Sequence, residues 1–182
     1  MRVISGSAKG TKLYTLKGEL TRPTLDRVRE SIFNIIQNEI RDSSFLDLFS
    51  GSGAISIEAA SRGAKKVVAC DKSREAINII NKNIEKTHLE EKIDVYNLDY
   101  IQCLNRFKNI CFDLIYLDPP YKTDYAKKSV EQILELNIAN EDTLIIVETD
   151  DTSVIEDLEN QKIQIVDKRK YGRAIIAFLK RI

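Results

Sequence analysis

The chain has 182 residues, 43% hydrophobic and 31% charged, and its 28 basic side chains balance 28 acidic ones. These proportions fit one soluble globular domain with room for a substantial core. No run approaches the roughly 18 consecutive apolar residues of a membrane span, and the N-terminus lacks the charged-then-apolar plan of a signal peptide, so a cytoplasmic protein without membrane contact is expected.

The first twenty residues read as an N-terminal β arm. Arg2-Val3-Ile4-Ser5 and Thr11-Lys12-Leu13-Tyr14-Thr15 are short extended runs joined by the turn-rich Gly6-Ser7-Ala8-Lys9-Gly10. Residues 21–182 read as a single domain. A helix opens at Thr21-Arg22-Pro23-Thr24, with Thr24 as its expected N-cap, Asp26 at the positive end of the dipole, and Leu25, Val28, Ile32, Ile35 and Ile36 at helical spacing. Strands and helices then alternate. Strands are predicted at 45–49, 66–70, 93–96, 112–117 and 143–147. Helices are predicted from Ala54 to near Gly63, after Ser73, from Tyr100 to Phe107, around 126–134 and at 154–158. The chain closes with strands at 163–166 and 174–179, separated by a turn around Tyr171-Gly172. Repeated βα units predict an α/β fold, a mostly parallel Rossmann-like sheet with helices on both faces and an antiparallel last strand.

Charge is unevenly spread. Residues 1–29 carry a net +5 and residues 168–182 a net +6, which leaves −11 for the middle. Two basic ends around an acidic body point to a polyanion-binding face if the fold joins them; otherwise they are simply solvated. Cys70, Cys103 and Cys111 form no Cys-x-x-Cys pair and His88 is the single histidine. Buried reduced thiols are therefore expected, and no metal.

Acids fall within or just past several of the predicted strands. Asp47 precedes Ser50-Gly51-Ser52-Gly53 between a strand and a helix, where glycines let the backbone turn tightly and approach a ligand. Asp71 ends the next strand, within reach of a ribose diol. A third glycine of the dinucleotide fingerprint would fall at Ser56, and the extra carboxylate at Asp47 suits a ligand with a cationic amine better than one with a pyrophosphate. S-adenosylmethionine (SAM) has that amine, a diol for Asp71, and an adenine amino group for Asp99. Singly each feature is weak, since Gly51 and Gly53 can be only a turn and Asp99 only a surface acid. The strand at 112–117 runs into Asp118-Pro119-Pro120-Tyr121. Two prolines end the strand and hold a carboxylate, backbone carbonyls and a ring in one patch where open α/β sheets bind ligands.

In this order the motifs resemble the class I SAM-dependent methyltransferases, in the branch with an Asp/Asn-Pro-Pro-Tyr motif that methylates exocyclic amino groups. Arg2-Val3-Ile4-Ser5-Gly6, the segment from Arg22-Pro23-Thr24 to Asn34, the run Asp47 to Gly53, and Asp118 to Tyr121 resemble the RsmD family of bacterial 16S rRNA guanine-N2 methyltransferases, and the likeness runs from Arg2 to Arg173. The resemblance implies SAM as methyl donor, and 16S rRNA or the small ribosomal subunit as partner; a monomer is expected. Asp47, Gly51, Gly53, Asp71 and Asp99 are the expected cofactor contacts. Asp118 and Pro119 are expected to orient the target amino group, with Tyr121 stacking on the base. Arg2, Lys9, Lys12, Arg22, Arg27, Arg29 and Arg173 are the expected RNA contacts, although the segment around Arg22–Arg27 could equally hold the cofactor's methionine end. An adenine-N6 DNA methyltransferase, a protein glutamine methyltransferase and a non-catalytic SAM-binding RNA module stay open as alternatives.

Overall fold

The computed structural model describes residues 1–16, 23–120, 123–158 and 162–182. One seven-stranded sheet organises them: β1 (Ser44–Asp47), β2 (Lys66–Cys70), β3 (Ile93–Tyr96), β4 (Leu114–Leu117), β5 (Leu144–Thr149), β6 (Ile163–Tyr171) and β7 (Ala174–Arg181). The spatial order is β3-β2-β1-β4-β5-β7-β6. Strands β1 to β5 pair in parallel, whereas β7 runs antiparallel to both β5 and β6. Order reverses between β1 and β4, and a doubly wound sheet opens its ligand crevice at that switch point.

The parallel strands are short and apolar because helices cover both faces. One core layer joins α1 (Pro23–Ile35), α2 (Ala54–Ser61) and α3 (Arg74–Thr87) to Phe45, Val67, Leu114, Tyr116, Ile146 and Phe178 of the sheet. The other joins α4 (Tyr100–Arg106), α5 (Tyr125–Glu135) and α6 (Thr152–Glu156) to Leu46, Val68, Ile115, Leu117, Ile145 and Val147. Alternation along each strand decides which face a residue serves.

Helix α1 begins at Pro23. The expected cap Thr24 therefore lies inside its first turn, and proline at the helix entry loses no hydrogen bond because that N–H has no helical acceptor. Ser73 does cap α3, accepting from the Ala76 N–H at 3.3 Å. The basic 168–170 segment, beyond the strand expected at 163–166, is part of β6, which with β7 forms a long antiparallel pair. Cys70 and Cys103 are buried thiols, but Cys111 is exposed, against expectation, because it precedes the buried strand at the edge where α5 ends.

The arm folds back antiparallel through an Arg2–Lys12 bridge, with Val3, Ala8 and Leu13 buried in the first core layer. It is fastened to α2. Glu58, fully buried, accepts the N–H groups of Ile4 at 2.8 Å and Ser5 at 3.0 Å and pairs with Arg62 at 2.7 Å. Ser61 accepts from the Ala8 N–H and donates to the Ser5 carbonyl. Gly6 packs so closely here that a Cβ would stand 1.9 Å from the Ser61 carbonyl oxygen, and its φ of +84° is one that other residues avoid.

Candidate active site at the sheet switch point

A cavity of about 250 Å³ opens over the C-terminal ends of β1, β4 and β5. Its walls include Asp47, Phe49, the Ser50–Ser52 loop, Tyr116, Asp118 and Glu148, with Arg29 and Ile32 of α1 closing one side. Expected site residues from separate motifs thus meet in one place.

Asp47 ends β1 and is 1% exposed. One carboxylate oxygen accepts from the Ser56 hydroxyl at 2.6 Å, and the other is buried with no hydrogen-bond partner. Burial raises its pKa to about 7; the Ser56 bond opposes this and Asp71 adds to it. An orphaned acidic oxygen on the cavity wall fits an ammonium group, which would satisfy it and restore its charge. Ser56, where a dinucleotide site would carry its third glycine, spends its hydroxyl orienting this acid.

The loop after β1 needs its glycines. Gly51 and Gly53 both take positive φ, and a Cβ on Gly53 would meet Ile80 of α3 at 3.0 Å. Asp71, at the end of β2, accepts from the Gly51 N–H at 2.9 Å and the Ser73 N–H at 2.8 Å. Its carboxylate therefore holds the glycine loop against the α3 entry, at the edge where a diol would lie. Asp99 caps α4, accepting from the Gln102 N–H at 2.9 Å while the Asp99 N–H donates to the Gln102 side-chain oxygen at 3.3 Å. Phe49, Tyr100 and Tyr125 cluster beside it, with centroids 4.9 to 6.5 Å apart. An adenine ring needs such a wall. The acids at 47, 71 and 99 and this aromatic cluster fit SAM at its amine, ribose and base.

Asp118 leaves β4 half-buried on the same cavity. Pro119 behind it is buried, and the Thr123 hydroxyl fixes the turn by donating to the Pro120 carbonyl at 2.7 Å. Tyr121 lies outside the described residues, as does Arg22.

The expected RNA contacts divide. Arg2, Lys9, Lys12, Arg27 and Arg173 are exposed, and Arg2, Lys9 and Arg27 line one shallow groove between arm and α1. Arg29 is a correction. It is 5% exposed, donates to the Arg2 carbonyl and pairs with Asp26 at 3.1 Å, and burial lowers its pKa. Its guanidinium is enclosed between α1, the arm and the cavity and cannot reach a phosphate outside. The signal was legible: position 29 shares a helical face with Ile32, Phe33 and Ile36. Tyr116 and Glu148, hydrogen-bonded to each other inside the cavity, were missed. Glu148 is another acid closing an apolar strand, as at 47, 71 and 118, which was the available clue.

This sheet order, a glycine loop after β1 and acids at the ends of β1, β2 and β4 define a class I SAM-dependent methyltransferase. A family model described as Conserved hypothetical protein 95, the RsmD family, matches residues 1–180, and the chain belongs to that family. Among its relatives, the Haemophilus influenzae protein named Ribosomal RNA small subunit methyltransferase D is 36% identical over 152 residues, covering 82% of this chain and 79% of that one. The Escherichia coli protein of the same name is 30% identical over 150 residues, covering 82% and 75%. The solved structure of E. coli yhhF superimposes with a TM-score of 0.85 at 26% identity, covering 100% of this chain and 97% of that one.

Proposed function

We propose that this protein methylates the exocyclic N2 amino group of a guanine in 16S rRNA, in an assembled or partly assembled small ribosomal subunit, acting as a cytoplasmic monomer with SAM as donor. The observation that carries this reading is the meeting of Asp118, which opens the Asp-Pro-Pro turn, with the orphaned acid of Asp47 in one cavity at the switch point. The family relatives named as small-subunit rRNA methyltransferases support rRNA as the substrate.

When bound, SAM supplies an electrophilic methyl carbon on a sulfonium. Asp47 would hold its amine, Asp71 its ribose diol, and Asp99 with the Phe49–Tyr100–Tyr125 wall its adenine. The lone pair of a guanine amino group is delocalised into the ring, so the protein must fix it. With the Asp118 carboxylate and the Pro119 carbonyl each accepting one N–H, the lone pair faces the cofactor side of the cavity. Positive charge develops on the nitrogen as it gains the methyl group released by sulfur, and is discharged when one N–H proton is lost to solvent. A preorganised carboxylate and carbonyl stabilise that charge more than the neutral amine, which is where rate is gained, and alignment supplies the remainder. Tyr121 would stack on the splayed base, and the exposed cations of the arm and the β6–β7 turn would hold phosphates.

The test is transfer of labelled methyl from SAM to naked rRNA, small subunits, DNA and protein, with the product nucleoside identified by mass spectrometry. N2-methylguanosine in rRNA is expected; methyladenine in DNA as the sole product overturns the reading. Asp118→Ala should lower kcat by at least about 100-fold, the scale for losing one preorganised electrostatic contact, while calorimetry finds SAM affinity unchanged. Wild-type turnover in that variant removes Asp118 from catalysis.

A further inference from the structure

Glu148 has no part in the mechanism above, yet it sits in the same cavity. Leu117 pairs with Val147 in the parallel β4–β5 ladder, so the next residues, Asp118 and Glu148, stand level at the two strand ends. Strand alternation turns both toward α1, the face served by Tyr116 and Ile146. Adjacent strands lie about 4.8 Å apart. The sheet therefore carries acids across neighbouring strands, Asp71 after β2, Asp47 on β1, Asp118 after β4 and Glu148 on β5, and the last three stand on the cavity wall.

A carboxylate 6% exposed at the end of an Ile-Ile-Val strand costs stability unless something uses it. Tyr116 donates to one oxygen, and among the described residues Glu148 has no ion-pair partner. The nearby Arg29 is committed to Asp26 and the arm. Burial raises the Glu148 pKa, against the pull of the Tyr116 bond. Nothing in the packing calls for an acid where Ile176 of β7 is the facing neighbour.

We propose that Glu148 accepts the ring N1–H of the target guanine and is the residue that admits guanine and rejects adenine. The inference rests on the guanine-N2 reading and names what enforces it. Guanine presents N1–H and the N2 amino group side by side, both donors. Acceptors on adjacent strand ends match that edge: Asp118 takes the amino group and Glu148 takes N1–H. Adenine presents a lone pair at N1, which a carboxylate repels. The Tyr116 hydroxyl orients the carboxylate through one oxygen, and Glu148 lines the cavity that Asp118 shares. A site built to bind a donor discriminates strongly against an analogue lacking it, because its own buried acceptor is left unpaired.

The experiment compares a small-subunit RNA substrate carrying guanine or 2-aminopurine at the methylated position. The analogue keeps the 2-amino group but has a lone pair at N1. Wild-type protein should favour guanine by at least about tenfold. Glu148→Gln keeps an acceptor for Tyr116 and gains an N–H that can meet the N1 lone pair. It should lose about 10- to 100-fold in kcat/KM on guanine, narrow the preference at least about tenfold, and bind SAM as wild type does in calorimetry. Wild-type protein that methylates both substrates within twofold overturns the proposal without any variant. A Glu148→Gln protein with unchanged guanine kcat/KM and unchanged preference also overturns it. If wild-type protein makes no N2-methylguanosine, the guanine-N2 reading itself fails and takes this inference with it. If it does and Glu148→Gln changes nothing, only the role of Glu148 falls.

Discussion

Asp47 ties the cofactor site to pH. Its carboxyl titrates near 7 in the fold against an ordinary 3.8, because burial disfavours the charged form. The fold thus favours the neutral acid. Its contribution to stability is whole below about pH 4 and is lost as pH rises through about 7. Urea unfolding of the ligand-free protein should show wild type losing about 4 kcal/mol relative to Asp47→Asn across that window. Ser56 can still donate to the amide oxygen of the variant, so packing is retained. A cationic amine reverses the balance by stabilising the ionised form. At pH 6, SAM binding should therefore release most of a proton, read as a buffer-dependent enthalpy, and Asp47→Asn should release none. Equal release by both proteins would mean that the amine lies elsewhere.

Arm and glycine loop are coupled by one side chain. Asn83 of α3 is fully buried; its oxygen accepts from the Tyr14 N–H at 2.7 Å, and its amide donates to the carbonyls of Tyr14 and Ser52, both at 2.9 Å. Replacing it with alanine leaves three backbone groups to find new partners, at a cost of about 2–4 kcal/mol. Asn83→Ala should lose hydrogen-exchange protection at Tyr14 and bind SAM more weakly, because Ser52 belongs to the loop on the cavity wall. Intact SAM affinity would show that the loop is held without this link. The sequence displays α3 plainly but hides this role, since a polar residue on a helix becomes structural only through what tertiary packing brings to it. Strand ends show the opposite case. Asp71 and Asp118 each close a short apolar run, so their location followed from the pattern alone, whereas Asp47, inside the strand expected at 45–49, ends the observed β1. Glu148 likewise follows the apolar run expected at 143–147, but it stands inside β5, which continues to Thr149, and no motif around it points to a ligand. Arg29 belongs to a basic cluster by charge but to the buried face of α1 by helical position, and β6 runs beyond the expected 166 because an edge strand need not alternate apolar residues to pair.

At the scale of the molecule, the question the charge pattern posed was whether its two basic ends meet. They are joined through α1. Ser31 of this helix hydrogen-bonds the Tyr171 hydroxyl at the β6–β7 turn beside Arg173, and two positions away Arg29 donates to the carbonyl of Arg2 in the arm. Arm, helix and turn thereby flank the cavity, while the acidic middle of the chain supplies strands β1 to β5 and the carboxylates at their ends. An RNA held on this frame would release counterions from each neutralised phosphate, and the logarithm of its binding constant should fall with the logarithm of salt by about 0.7 to 0.9 per contact. Replacing Lys9, Lys12, Arg27 and Arg173 by alanine removes exposed cations that stand outside the cavity wall. The quadruple variant should bind rRNA more weakly at low salt and show a slope reduced by roughly 2 to 4, with SAM affinity unchanged. Arg29→Ala should behave differently, loosening the arm and lowering thermal stability while leaving the salt slope almost intact, since its charge is buried against Asp26. A quadruple variant with wild-type slope would move the RNA surface elsewhere, and a shallower slope in Arg29→Ala alone would return that arginine to the phosphates.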